Sequence, residues 1–262
     1  MSPAATSITI PAWANGPDGS GNGGWTAGLL AGQLAQAPRG VAVSLRVPPP
    51  LDRALRIEPA GDGGITLWDD ATEEPVLVAS ADPEDVELQV PDVVRGISLA
   101  RAQVATTNFP FRDQHPFPRC VSCGTARDPE LPALHLHAGL VPACVILDDA
   151  GELTPVFAAP WTPSIDMADG DDLTTASVAA RWSALDCPSA APVADPEAEN
   201  PVVLARIAVR LDAEVSIGHP HIVAAWRLAV DGRKRWTASV LMDADGDVLG
   251  IARALWIEVR SR

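Results

Sequence analysis

The sequence predicts an α+β protein in which one structural unit, a helix followed by several antiparallel strands, occurs twice. Two observations predict this fold class. Short apolar, β-branched segments are separated by turns containing Asp-Gly, which is typical of antiparallel hairpins. A helical segment precedes such strands in each half of the 262 residues. We therefore expect an internal duplication, with two repeats that are each a long helix wrapped by a curved antiparallel sheet.

The first repeat is expected over residues 1–105. A glycine-rich loop at 15–24 leads into the predicted helix WTAGLLAGQLAQAP, whose Gly and Ala content suits close packing against another backbone. The strands predicted after this helix are VAVSLRV, LDRALRIEP, ITLWDD and PVLVASA.

A connecting segment rich in Pro and Cys is expected over residues 106–135. Its aromatic and proline residues, as in NFPFRDQHPFP, predict an ordered loop and not a disordered linker. The second repeat is expected over residues 136–262. Its predicted strands are VPACVILDD, VFAAPWTP, VLARIAVRLDAEV, HIVAAWRLAV, RWTASVLMD and GIARALWIEV.

The second repeat contains the predicted helix around which the site is organised, TTASVAARWSALDCP at 174–188. Asp171, Asp172 and the two threonines are the candidate N-cap residues, and Pro188 is expected to end the helix. Three apolar residues recur at helical spacing and form one face: Val178, Trp182 and Leu185.

Asp186 lies one turn after Trp182 on this helix, so its carboxyl group is expected against the indole and away from open water. Poor solvation of a carboxylate raises its pKa towards neutrality. Asp186 is therefore either a residue that only caps the helix end or a candidate acid/base.

Composition excludes several classes of partner. The chain has 34 acidic and 19 basic residues, a net charge of −15, which predicts no nucleic acid and no anionic membrane as partner. No apolar run approaches the roughly 18 residues of a membrane helix, and the N-terminal segment lacks the pattern of a secretory signal. The sequence predicts a cytoplasmic location and reduced thiols for its four cysteines.

Several segments, in their order along the chain, resemble one known family. They are the Gly-Gly at a helix start, the strand AVSLRV with its proline break, FPRCVSCG, WSALDCP, and the closing strands WTASVLMDADGDVLGIARALWIEV. Over roughly residues 15–260 the chain resembles hotdog-fold acyl-CoA thioesterases, in their tandem (double) hotdog group. The resemblance implies an α+β double hotdog with continuous sheets and both helices inside.

The resemblance also implies one half of a catalytic site at the first helix. Gly23 and Gly24 match the paired glycines of the phenylacetate-pathway type of hotdog thioesterase, and Asn22 stands where that family has a histidine. The amides of Gly24 and Trp25 would then polarise the carbonyl of a bound thioester, because N–H groups at a helix start lack partners.

The other half is implied at the second helix. Asp186 matches the acid of that family, which activates water or attacks the thioester, and Trp182 would line the pocket. Each repeat keeps only one of the two parts, since the first helix has Ala31 and Gly32 where the acid would fall. One complete site per chain is the expectation.

The predicted function is hydrolysis of an acyl-CoA or acyl-carrier thioester, with no cofactor. A non-catalytic protein that binds or scaffolds acyl thioesters in the same tunnel is the alternative, and a hotdog hydratase is a third hypothesis. Association of copies through the hotdog sheets is left open.

Two further motifs partly match known binding sites, a dinucleotide-binding loop and a zinc site. The glycines of GSGNGG at 19–24 match the pattern of a dinucleotide-binding loop, but the antiparallel strands predicted around them argue against such a site.

Cys120 and Cys123 have the spacing of half a zinc site, followed by His135 and His137, whose own spacing is unusual for zinc. No metal is included in the predicted site, and a structural zinc there is left open. The other two cysteines, Cys144 and Cys187, are expected to be small buried apolar residues.

Overall fold

Antiparallel strands form one continuous sheet in the computed structural model, which describes residues 6–34, 39–170 and 172–259. The described strands are β1 (Ser7–Thr9), β2 (Val41–Leu45), β3 (Ala54–Pro59), β4 (Ile65–Asp69), β5 (Val76–Pro83), β6 (Gly139–Leu147), β7 (Leu153–Trp161), β8 (Ala168–Asp169), β9 (Asp172–Ala176), β10 (Val202–Leu211), β11 (His221–Asp231), β12 (Lys234–Met242) and β13 (Val248–Glu258). Eleven of them form the main sheet in the order β1-β3-β4-β5-β2-β10-β13-β12-β11-β7-β6, while β8 and β9 pair separately.

The two halves of the chain meet where β2 pairs with β10. The ladder is antiparallel, from Ser44 opposite Arg206 to Val41 opposite Val209. Within the main sheet, the described strands of the first half lie on the β2 side of this pair and those of the second half on the β10 side. The continuous sheet predicted for a double hotdog is thereby confirmed.

The described helices are α1 (Gly23–Ala31), α2 (Asp92–Arg95), α3 (Leu99–Thr106) and α4 (Val178–Ala190). α1 and α4 both lie on the same face of the sheet, where α1 contacts β2 and β5 and α4 contacts β11, β12 and β13. This arrangement agrees with the prediction of one central helix per repeat. The end of the first predicted helix, at 35–38, lies outside the described residues.

The central helices run antiparallel and their backbones touch at two glycines. A Cβ added to Gly24 would lie 2.8 Å from the Ser183 Cα, and one added to Gly28 would lie 2.6 Å from the Ala179 Cα. Side chains larger than hydrogen would push the helices apart. The sequence predicted tight backbone packing from the Gly and Ala content of α1. This contact between the two helices is where that packing occurs.

The second central helix begins four residues later than predicted. Thr174 and Thr175 belong to β9, and the N-cap is Ser177, whose Oγ accepts a hydrogen bond from Ala180 N at 3.1 Å. Asp172 instead accepts bonds from both threonines within its own turn. Asp171, the other predicted cap, lies outside the described residues. Pro188 does not end the helix but lies in its last turn.

Apolar side chains cover both faces of the sheet. Along β11, Val223 packs in the core with α1 and α4, whereas Ile222 and Ala224 pack in a second core on the opposite face. The alternation follows the two-residue period of a strand. The second core is covered by α2 and α3, and α3 contacts β6 and β7.

The repeat boundaries at 105/106 and 135/136 stay a prediction. No helix in the described part of the chain combines the length and the apolar character needed to cross a membrane.

Candidate active site

A cavity of about 670 Å³ opens between the N-terminus of α1 and the C-terminal half of α4. Its wall is mostly apolar and is completed by the proline-rich loop at 45–49, the segment at 109–123 and the ends of β10 and β13. Polar groups of the wall come together at the junction of the two helices: Asn22, Gly23, Asp186, Cys187, Cys120 and Cys123. An apolar pocket with a few converging polar groups is the usual form of a small-molecule site.

Asp186 is the buried acid of this junction, with 1% of its surface exposed. Its Oδ2 accepts a hydrogen bond from Gly24 N at 2.8 Å, whereas its Oδ1 is buried with no partner among the described residues. Burial raises the pKa of the Asp186 carboxyl to about 7, and the Gly24 amide opposes part of this rise. One carboxylate oxygen is thus held by the helix, while the other is buried without a partner among the described residues.

Hydrogen bonds to neighbouring elements fix the turn of α4 that carries Asp186. Ser239 Oγ, on β12, donates to Leu185 O at 2.6 Å, and Ser189 Oγ donates to Asp186 O at 2.7 Å. Trp256 Nε1 in turn donates to Ser189 Oγ at 3.0 Å. These bonds tie the turn of α4 that carries Asp186 to β12 and β13.

Asn22 is the N-cap of α1 and connects the helix to its surroundings. Its Oδ1 accepts from Trp25 N at 2.8 Å and from Ser183 Oγ at 3.0 Å. Its Nδ2 points to two sulfur atoms, Cys187 Sγ at 3.5 Å and Cys120 Sγ at 3.7 Å. Every hydrogen-bonding atom of this buried amide therefore has a contact.

The two amides of α1 that were expected to bind a substrate carbonyl already have acceptors within the protein. The Gly24 and Trp25 amides, expected to polarise a carbonyl, donate to Asp186 and Asn22. Within the described chain, Gly23 N–H is the amide of this turn that has no acceptor, and Gly23 lines the cavity. The space that a Cβ on residue 23 would fill is taken by Leu204 and Leu45, so the glycine here lets α1 pack closely against β10 and β2.

Gly24, Trp25 and Trp182 lie behind the cavity wall and not on it. Trp25 packs edge-on against Trp13, with ring centroids 4.8 Å apart, and Trp182 packs on α1 beside Gly28. Their assignment as substrate-binding residues stays a prediction. The structure gives them packing contacts that hold α1 in place.

Three cysteine sulfurs meet at the cavity wall next to Asp186. The Sγ atoms of Cys120, Cys123 and Cys187 all lie within 4.8 Å of one another. Hydrogen bonds from the Cys123 and Cys187 thiols lower the pKa of Cys120 well below its usual value. His135 and His137, the expected companions of Cys120 and Cys123, do not belong to this group. Cys187 takes their place, although the sequence predicted only a small apolar residue there.

His115 is a second cavity residue that sequence reasoning missed. Its Nδ1 accepts from Phe117 N at 3.0 Å, while its Nε2 is buried with no partner in the described part of the chain. Burial lowers the pKa of His115, which favours the neutral ring. In the sequence, His115 stands between two aromatic-proline pairs. Those pairs predicted an ordered loop, but they gave no indication that His115 lines a cavity.

No family model matches the sequence, and no curated protein does. Solved structures do match in fold. The tesB protein of Mycobacterium avium subs paratuberculosis is 12% identical, with a TM-score of 0.52 over 96% of this chain and 91% of that chain. The acyl-CoA thioesterase II TesB2 of Mycobacterium marinum is 12% identical, with a TM-score of 0.51 over 92% of this chain and 90% of that chain. A protein of Novosphingobium aromaticivorans, also 12% identical, has a TM-score of 0.55 over 97% and 95%. The chain has the α+β double hotdog fold.

Proposed function

We propose that the chain hydrolyses an acyl thioester, of coenzyme A or of an acyl carrier, in the cavity between α1 and α4. The observation that carries the proposal is Asp186. It is a buried carboxyl group, fixed by a helix amide through one oxygen and unpartnered at the other, in a residue that lines an apolar cavity. An acyl chain would occupy the apolar wall, and the reacting carbonyl would lie at the polar junction.

In the proposed reaction, Asp186 Oδ1 binds a water molecule and removes its proton as the water oxygen bonds to the thioester carbon. The carbonyl oxygen, which gains negative charge, accepts a hydrogen bond from Gly23 N–H at the positive end of α1. The carbon–sulfur bond then breaks, and Asp186 returns the proton to the departing sulfur. A carboxylic acid and a free thiol result.

An acyl-CoA substrate is proposed because the M. marinum protein that shares this fold is an acyl-CoA thioesterase II. At 12% identity this likeness carries the fold and not the activity. The proposed activity therefore rests on the arrangement of Asp186 and Gly23 and not on the neighbours.

The second candidate function is a protein that binds acyl thioesters without hydrolysing them. The observation in its favour is the bond from Gly24 N to Asp186 Oδ2, because each group satisfies the other and neither is fully free for chemistry. Such a protein would use the same cavity, and a ligand would stabilise the fold without being consumed.

The deciding experiment measures free-thiol release from short, branched, aromatic and long acyl-CoAs by the wild-type chain and by Asp186→Asn. We expect turnover in the wild type and a loss of at least about a hundredfold in the variant, as is typical when a general base is removed. Asp148→Asn is the matched control, because Asp148 is also a poorly exposed carboxylate but pairs with Arg227 away from the cavity.

Each other outcome has its own meaning. Equal turnover by the wild type and Asp186→Asn contradicts the role of Asp186. Absence of turnover on every substrate, combined with a raised Tm in the presence of an acyl-CoA, favours the binding protein.

A further inference from the structure

We propose that Cys120, Cys123 and Cys187 together bind one zinc ion in the cavity wall, with a fourth coordination position open to the cavity. The three sulfurs converge from two distant parts of the chain, the turn at 117–124 and helix α4. All three residues line the cavity. The proposal does not depend on whether the chain hydrolyses thioesters.

The sulfur positions fit a tetrahedral metal. With zinc–sulfur bonds of about 2.3 Å, two sulfurs at corners of a tetrahedron lie roughly 3.8 Å apart. Cys120 Sγ and Cys187 Sγ are 3.7 Å apart, and no pair in the group exceeds 4.8 Å. A zinc ion can therefore be accommodated with sulfur movements of an ångström or less.

The turn that carries two of the ligands is built rigidly. Gly124 N donates to Cys120 O at 2.9 Å, and Ala126 N donates to Pro118 O at 2.8 Å. A Cβ on residue 124 would lie 2.6 Å from both of these carbonyl oxygens, so the turn requires glycine. Two cysteines separated by two residues in such a turn are the usual half of a zinc site.

Groups around the sulfurs support a bound thiolate cluster. Asn22 Nδ2 lies 3.5 Å from Cys187 Sγ and 3.7 Å from Cys120 Sγ, where it orients both sulfurs as an outer hydrogen-bond donor does in metal sites. Metal binding replaces the three S–H protons, which pass to solvent. Thiolates are soft ligands that favour zinc over Mg²⁺ and Ca²⁺, which prefer oxygen.

The fourth position is inferred to be open because the group contains three ligands. Among the described residues, no further His, Cys, Asp or Glu donor atom lies within 4.8 Å of all three sulfurs. Zinc sites closed by four protein ligands are structural, whereas sites with three keep a place for water or another small ligand. This position would face the space next to Asp186.

The test uses the full-length chain, loaded with Zn²⁺ under reducing conditions and dialysed before its metal content is measured by mass spectrometry. We expect one zinc per chain, and Co²⁺ in its place should give thiolate charge-transfer absorption. Cys123→Ala and Cys187→Ala should each weaken zinc binding at least about tenfold. Cys144→Ala is the matched control, because Cys144 is a free cysteine, buried like Cys120, but lies on the opposite face of the sheet in β6, and this variant should bind zinc like the wild type.

Three results would overturn the proposal. One is a wild-type chain that keeps less than about a tenth of an equivalent of zinc and shows no Co²⁺–thiolate band. Another is a Cys120–Cys187 disulfide, found by peptide mapping, that re-forms in preference to zinc binding. The third is equal loss of zinc from Cys144→Ala. The Co²⁺ spectrum of the wild type decides the question even if an alanine variant fails to fold.

Discussion

Asn22 shows how one residue can serve several elements at the junction of the helices. Its carbonyl oxygen accepts from the helix amide of Trp25 and from Ser183 on the neighbouring helix, and its amide nitrogen contacts two sulfurs. The family pattern has histidine at this position, and a neutral imidazole could not make all these contacts at once. The position therefore has a structural role whatever its part in binding.

Asn22→Ala is expected to lower the free energy of unfolding by about 1–2 kcal/mol, since it removes an N-cap and leaves the Ser183 hydroxyl without its acceptor. Asn22→Ser retains an oxygen that can cap α1 and is the matched control, with a smaller loss expected. Urea denaturation of the three proteins measures the difference. Equal stability of wild type and Asn22→Ala would contradict the capping role.

At this scale the sequence predicted the burial of Asp186 but not its surroundings. The burial of Asp186 could be predicted because an apolar residue, Trp182, precedes it by one helical turn. The meeting of Cys187 with Cys120 depends on packing across 67 residues of chain, which no local spacing encodes. The bond between Gly24 and Asp186 likewise appears only when two helices from different repeats are in contact.

The pair α1 and α4 is the element on which the site depends, because the two helices supply its amides and its acid. Their backbones approach through Gly24 and Gly28, so the distance between the helices is set by residues that have no side chain. Helix propensity alone disfavours both glycines by about 1 kcal/mol each relative to alanine. Close packing of the helices is the gain that offsets this cost.

Gly28→Ala should destabilise the protein by about 1–3 kcal/mol, because its new Cβ would meet the Ala179 backbone at 2.6 Å and the overpacking outweighs the gain in helix propensity. Gly61→Ala is the control, since a Cβ there has nothing within 4 Å. Thermal unfolding of both variants measures the effect. A Gly28→Ala protein as stable as the Gly61→Ala protein would contradict the close contact.

Prediction of elements from the sequence was good for strands and weaker for helix ends. The strands from VAVSLRV to GIARALWIEV were found near their expected places because their alternation and turns are local properties. Helix α4 started later than predicted because Ser177, and not the threonine pair, caps it. The two threonines lie in β9 instead, where their hydroxyls donate to Asp172, and such competition is decided by the tertiary structure.

The whole molecule is held together by one sheet and one helix pair that both cross from the first half to the second. The β2–β10 ladder and the α1–α4 contact bury side chains from both halves in the same core. Each half therefore needs the other to bury the apolar face of its part of the sheet. The absence of a nucleic acid or membrane partner, the cytoplasmic location and association through sheet edges remain predictions at this scale.

Unfolding is expected to be a single cooperative transition despite the duplicated architecture, since the two halves share one inner core. Differential scanning calorimetry should give a calorimetric enthalpy equal to the van't Hoff enthalpy, and fluorescence and far-ultraviolet circular dichroism should give the same Tm. Two separated transitions would mean that the halves are stable independently of each other.

The double hotdog fold was predictable because the order of helix and strands recurs along the chain, whereas the internal duplication stays a prediction. The continuity of the sheet followed from the family resemblance and not from any residue pattern. The covering of the outer face by α2 and α3 was not foreseen, because the segment around 82–135 shows little periodicity and its contacts are made with strands that lie much later in the chain.

The two helices that border the cavity come from different halves of one chain, and this affects what a substitution in the cavity can do. In a symmetric dimer of single repeats, every substitution enters twice, once at each copy of the site. Here the N-terminus of α1 comes from one half of a single chain and Asp186 from the other. A substitution on either side therefore enters only once per chain, and the helix that supplies the amides can carry residues different from those of the helix that carries Asp186.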